Sequence, residues 1–154
     1  MELRNNGLLE KHVVDVLKEK KLTITTAESC TGGMISSRIV NVPGASAVLK
    51  QAYVTYCDEA KHTVLGVKKE TLEKYYAVSS QTACEMAAGA DVCVSVTGVA
   101  GPDTEDGKPV GCVFIGCFYN GNVTVKEYSF KGNRMEIRSQ AADEALKLVL
   151  NVVK

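Results

Sequence analysis

Helix-period and β-rich stretches alternate along this chain from end to end, and that alternation leaves few architectures open. Leu8, Leu9, Val13, Val16 and Leu17 recur at helical spacing, which predicts an amphipathic helix over residues 5–20. A β-rich run at 22–27 predicts a strand, and residues 34–42 predict a short helix ended by Pro43. Residues 47–56 mix a helical turn with a strand, and 58–65 and 70–75 read as short helices. Ser79 is placed to cap a helix over 80–90. Val92, Val94 and Val96 mark a strand at 91–97, followed by a loop rich in glycine, proline and acidic residues at 98–109. Runs at 111–119 and 123–130 flank Asn120-Gly121, a strong hairpin signal, and Ile137, Ala141, Ala145, Leu148 and Val149 carry a last helix over 133–152. Helices at both ends and between strands predict an α/β fold, a three-layer α/β/α sandwich around a central mixed sheet. No repeat or linker interrupts the pattern, so residues 1–154 are expected to form a single domain.

The composition narrows the partners. Eighteen basic residues balance eighteen acidic ones, so the basic footprint of a nucleic-acid or anionic-membrane binder is missing, although a local phosphate site stays compatible. No segment approaches the roughly 20 apolar residues of a membrane helix. The first ten residues are polar and lack the apolar core of a secretory leader, so a cytoplasmic protein is expected. The six cysteines (Cys30, Cys57, Cys84, Cys93, Cys112 and Cys117) contain no CxxC pair, and only His12 and His62 are available to join them on a metal. Free, mostly buried thiols are the expectation.

Chemistry concentrates where the first strand meets its helix, in Glu28-Ser29-Cys30-Thr31-Gly32-Gly33. Glycines there permit a tight turn, and the first amides of the next helix can hold a phosphate or the oxyanion of acyl transfer. Ser29 is a candidate nucleophile, but Ser29 or Thr31 capping the helix explains the same pattern. Glu28 is either an acid, an orienting group or a favourable charge at a helix start. The stretch has neither the GxxxxGK[ST] of a P-loop, the GxGxxG of a dinucleotide site nor the GxSxG of a hydrolase elbow. A serine nucleophile needs a base, and a lysine of depressed pKa can serve where histidine does not. Composition does not select Lys61 among fourteen lysines. The loop Thr97-Gly98-Val99-Ala100-Gly101-Pro102 suits ligand placement at a strand end, and equally a plain turn. Asp103, Glu105 and Asp106 lack EF-hand spacing. Arg134 and Arg138, one helical turn apart, suit either phosphate or a salt-bridged surface.

Taken together, AESCTGG at 27–33, VPGAS at 42–46, TYCDEAKHTVLGV at 55–67, VSSQTACEMA at 78–87, VTGVAGPDTEDGKPVG at 96–111 and FKGNRMEIR at 130–138 resemble the C-terminal domain family of the competence/damage-inducible protein CinA. The resemblance runs from about residue 8 to 150. It implies an α/β/α sandwich and an amidase that hydrolyses nicotinamide mononucleotide to nicotinate mononucleotide and ammonia, in pyridine nucleotide recycling. It implies Ser29 as nucleophile, assisted by Tyr56 and Lys61. It also implies nucleotide-binding turns at Thr31, Gly32 and Gly33 and at Thr97, Gly98 and Gly101, with neither metal nor organic cofactor. Cys30 is grouped with the substrate-binding turn and is also the alternative nucleophile, while Arg134 and Arg138 are the phosphate candidates. Tyr76 stands where a glycine is common before the AVS block. A homo-oligomer, a dimer first, is expected because family members tend to assemble.

Two other functions fit the same residues. One is a non-catalytic nucleotide-binding or interaction module linked to competence or DNA damage. The other keeps the amidase chemistry on a different small amide. The joint presence of Ser29, Tyr56 and Lys61 favours the enzyme.

Overall fold

A computed structural model describes residues 7–87 and 90–154. Helix α1 (Leu8–Glu19) leads to strand β1 (Ile24–Glu28), then α2 (Met34–Val40), a 3-10 turn (Ala45–Ala47) and β2 (Leu49–Val54). Three short helices follow, α3 (Asp58–Leu65), α4 (Lys69–Tyr75) and α5 (Ser80–Met86). Strands β3 (Val92–Gly98), β4 (Cys112–Tyr119) and β5 (Asn122–Ser129) complete the sheet, and α6 (Arg134–Val152) closes the chain. The sheet order is β2-β1-β3-β4-β5, with β1 parallel to β2 and β3, and with β4 and β5 antiparallel. This is the expected α/β/α sandwich with a mixed sheet.

Strand alternation sorts the two helical layers. Val92, Val94 and Val96 of β3 and Val113, Ile115 and Cys117 of β4 face the cluster formed with α1, α2 and α6. Cys93 faces the opposite side with Ala27, Val67, Leu72 and Met86. On that side Ser95 donates from Oγ to the Ala83 carbonyl at 2.6 Å, and a Cβ on Gly116 would lie 2.7 Å from the same Oγ. Glycine at 116 is what lets α5 sit this close to the sheet.

Local signals explain most boundaries. Asn133 accepts from the Glu136 amide at 3.0 Å while Glu136 accepts from the Asn133 amide at 2.7 Å, a capping box that starts α6. Asn120 and Gly121 both have positive φ, 52° and 80°, as a type I′ hairpin turn requires. Ser79 Oγ accepts from the Thr82 amide at 3.1 Å and caps α5 as anticipated. That helix ends at Met86, where Ala87 turns to extended backbone, earlier than the expected reach to 90. The rest of that expectation touches positions 88–89, and the start expected for α1 touches positions 5–6, both outside the described residues.

Burial departs from simple periodicity on α1. Leu8 is exposed, whereas Glu10 is buried because Arg38 of α2 donates to both of its carboxylate oxygens, at 3.1 and 3.0 Å. Arg38 also pairs with Asp143 of α6 at 2.5 Å, so one guanidinium joins three helices.

Tyr76 is a local strain point. Its φ of 66° and ψ of 176° fall in a region that essentially only glycine adopts without cost. Its carbonyl accepts from Ser79 Oγ and Thr82 Oγ1, at 3.0 and 2.7 Å, which holds the conformation in place.

Candidate active site at the carboxyl ends of the parallel strands

β1 leaves the sheet toward α2 on one face, and β2 leaves toward α3 on the other. Connections that diverge in this way open a crevice outside the carboxyl ends of parallel strands. Ser29 follows β1 directly, Thr55 and Tyr56 follow β2, and Thr97 and Gly98 end β3. The ladder continues into the crevice, since the Ser29 amide donates to the Val96 carbonyl at 3.0 Å and the Thr55 amide to the Glu28 carbonyl at 2.9 Å. A cavity of about 380 Å³ lies there, lined by Ser29, Cys30, Tyr56, Lys61, Arg134 and the 97–105 loop among others.

Lys61 reaches this point from the middle of α3. The side chain is 1% exposed, and Nζ lies 3.0 Å from Ser29 Oγ, 2.8 Å from the Thr55 carbonyl and 3.4 Å from the Tyr56 carbonyl. Among the described residues it forms no salt bridge. Burial pushes its pKa below the usual lysine value, against the opposing pull of Asp58, Cys57, Glu105 and Cys30. A neutral amine has two N–H donors and one lone pair, which match two carbonyls and one hydroxyl. Ser29 thus has a basic neighbour, and it is not a histidine. His62 is engaged elsewhere, with Nδ1 2.7 Å from the Val67 carbonyl.

The turn after Ser29 is built differently from the sequence expectation. Gly32 and Gly33 take φ of 59° and 98°, so the tight turn is real. Neither Ser29 nor Thr31 caps α2, because Gly33 is its N-cap and no side-chain capping bond is made. The buried Glu28 carboxylate accepts from the Ile35 and Ser36 amides instead, at 2.9 and 3.1 Å. The helix start expected to receive a phosphate or oxyanion is therefore already occupied at those amides by the chain's own anion. Of the three readings open for Glu28, the structure shows the favourable charge at a helix start.

The two arginines divide their tasks. Arg138 donates to the Cys30 and Thr31 carbonyls, at 2.9 and 3.1 Å, and fixes the turn from behind. Arg134 donates to the Gly101 carbonyl and, at 2.7 Å, to the Tyr56 hydroxyl. Successive turns of α6 therefore hold three strand-end segments together. Arg134 lines the cavity, whereas Arg138, Thr31, Gly32 and Gly33 do not. Tyr56 joins the Lys61 contacts through its main-chain carbonyl, while its hydroxyl points to Arg134.

The remaining positions are also accounted for. Thr97 Oγ1 donates to the Ala77 carbonyl at 2.9 Å. A Cβ on Gly98 would meet Val113 Cγ2 at 2.6 Å, and one on Gly101 would meet Val110 Cγ1 at 2.7 Å, so both glycines allow close packing of this loop. Cys30 is buried, and burial pushes its thiol up to about 12, which keeps it protonated near neutral pH. Cys57 and Cys84 are exposed, whereas Cys30, Cys93, Cys112 and Cys117 are buried. Sequence reasoning passed over Asp58, Ala77 and Val78, which also line the cavity. It passed over the carbonyls of Thr55 and Tyr56 as well, because a main-chain acceptor leaves no signal in residue identity.

Comparison with known proteins gives a consistent relationship. The family described as the CinA C-terminal domain matches residues 7–153. The chain is 50% identical over 149 residues to a CinA-like protein of Kosmotoga olearia, covering 92% of this chain and 36% of that protein. A CinA-like protein of Thermotoga neapolitana is 49% identical over 150 residues, covering 93% of this chain and 36% of its own length. The chain thus spans little more than a third of the curated relatives it matches. Among solved structures, the competence/damage inducible protein CihA from Agrobacterium tumefaciens superposes with a TM-score of 0.94 at 37% identity, covering both chains completely.

Proposed function

The chain belongs to the CinA C-terminal domain family, and from that premise we propose that it is an amidase cleaving the carboxamide of nicotinamide mononucleotide. The observation that carries this reading is the 3.0 Å contact between the buried Lys61 amine and Ser29 Oγ at the wall of a cavity. A hydroxyl is a weak nucleophile until a base removes its proton, and the amine of Lys61 is that base once neutral. Ser29 Oγ then attacks the carboxamide carbon, and the main-chain amide of Cys30, the turn residue that lines the cavity beside Ser29, receives the developing negative charge. The Lys61 ammonium returns the proton to the departing nitrogen, which leaves as ammonia. Water, deprotonated by the same amine, cleaves the resulting ester and restores Ser29.

The other residues orient. Tyr56 holds Lys61 through its carbonyl, and its hydroxyl borders the cavity in the grip of Arg134. Arg134 is the guanidinium placed to meet the ribose phosphate, while Thr97, Gly98 and Gly101 shape the wall. Cys30, Thr31, Gly32 and Gly33 form the turn that carries the nucleophile, and Arg138 of α6 fixes that turn from behind. Assembly into a homo-oligomer belongs to the same reading, and light scattering over a range of concentrations tests it.

Incubation of the purified protein with nicotinamide mononucleotide, following ammonia and nicotinate mononucleotide together, tests the activity. Stoichiometric appearance of both is the expected result. Ammonia from other small amides but not from this one would retain the chemistry and change the substrate. Ammonia from none would leave a binding module.

A further inference from the structure

The charge of the cavity does not suit a simple anion receptor. Asp58, Asp103 and Glu105 line it together with Arg134 and the buried pair Ser29 and Lys61. With Lys61 neutral, as the base must be, three carboxylates face one guanidinium. The three carboxylates are solvent-exposed, and among the described residues no side-chain hydrogen bond or salt bridge engages them, so nothing within the chain neutralises their charge along the cavity they line. Asp58 at the start of α3 and Glu105 on the loop after β3 both act electrostatically on the Lys61 amine. A purely anionic ligand would meet more repulsion than attraction here. A ligand with an anionic end at Arg134 and a cationic end toward the rim would meet attraction at both.

We propose that Asp58, Asp103 and Glu105 make the site selective for a carboxamide carried on a positively charged, N-substituted aromatic ring over the same amide on a neutral ring. This inference rests on the amidase reading above and deepens it by naming what reads the substrate's charge. The arrangement serves three stages of one reaction. A cationic ring is drawn to the carboxylate rim on binding. Placed beside Lys61, it disfavours the ammonium form and so favours the free base. Hydrolysis then converts the neutral amide into a carboxylate, which the same rim repels, promoting release.

The test separates charge reading from turnover. Affinities for nicotinamide mononucleotide and for its reduced form, whose dihydropyridine ring is uncharged, are measured by calorimetry in the Ser29→Ala background. The measurement is repeated with Asp103→Asn and Glu105→Gln added, with circular dichroism verifying that each variant is folded. The expected result is a preference of about tenfold for the cationic form, the scale of a few exposed charge pairs. It should fall to about twofold in the added variants and shrink with salt in the parent. Equal affinities, no measurable affinity for the cationic form, or a preference unmoved by the two substitutions overturns the proposal. Ammonia release by the unsubstituted protein reports separately on the amidase reading.

Discussion

Lys61 Nζ lies 3.0 Å from Ser29 Oγ, and its two other contacts, at 2.8 and 3.4 Å, are main-chain carbonyls that only accept. Once the amine is neutral its two N–H groups satisfy those carbonyls, and its lone pair is left for the serine hydroxyl. If the two side chains work as one unit, their losses do not add. Ser29→Ala should lower ammonia release by about a thousandfold or more, and Lys61→Met should do nearly the same. The double variant should be scarcely worse than either, with circular dichroism unchanged. Independent, multiplying losses would sink the idea of a shared proton transfer.

The acidity of Lys61 sets the pH behaviour. Burial holds its pKa below the usual lysine value, so kcat/KM should rise with pH as the amine deprotonates, with a midpoint below about 10.4. Stability follows the same sign. Between the lowered folded value and the unfolded one, the unfolded chain binds more protons, so stability rises with pH across that window. Denaturant midpoints of wild type and Lys61→Met at pH 7 and pH 10 check this. The wild type should gain relative to the variant at the higher pH.

Cys30 neighbours Ser29 but is held as an unreactive thiol near neutral pH, pushed up to about 12 by burial. Cys30→Ala should therefore keep most of its turnover, with a stability loss of about 1 kcal/mol. Assaying folded Cys30→Ala beside folded Ser29→Ala decides between the two side chains. Activity in the serine variant and none in the cysteine variant would reverse the assignment.

Arg134 and Arg138 should differ in kind. Nicotinamide mononucleotide is expected to exceed the riboside and free nicotinamide in kcat/KM, and Arg134→Ala should erase about ten- to a hundredfold of that advantage. Arg138→Ala loosens the turn that carries Ser29, so it should slow all three compounds alike. Steady-state kinetics on the three compounds distinguishes the patterns. Tyr56→Phe should act in the same direction as Arg134→Ala but more weakly, because it removes one hydrogen bond from that guanidinium.

Tyr76, which precedes the cavity-lining Ala77 without lining the cavity itself, offers a stability test. Its backbone conformation costs a non-glycine residue about 1–3 kcal/mol, while glycine adds up to about 1 kcal/mol of unfolded-state entropy. Tyr76→Gly should therefore stabilise by about 1 kcal/mol, read as a rise of about 2–4 °C in melting temperature. An unchanged or lower melting temperature would show that the neighbouring hydroxyls relieve the strain.

Element order was legible in the residues because helical and strand periodicities are local properties. The bounds of α3 were anticipated at 58–65, and the buried stripe Ile137, Ala141, Ala145, Leu148 and Val149 of α6 matches its spacing. Charge was less legible. Nothing in the spacing of α1 marks Glu10 as buried, because its partner Arg38 is 28 residues away.

For the site, the residues alone revealed a tight turn at Gly32 and Gly33 and placed Ser29 at its start. Family resemblance, not spacing, drew attention to Lys61 among fourteen lysines. Only the tertiary structure decided what those groups touch. Parallel pairing of β1 with β2 and β3 brings the ends of three strands to one edge, and divergent connections open the crevice there. α3 then delivers a buried amine across a separation of 32 residues to Ser29. The same packing gave the α2 amides to Glu28 and turned Arg138 away from the cavity. Such contacts arise from strand register and helix placement over long separations, whereas sequence periodicity reports only which face of each element is buried.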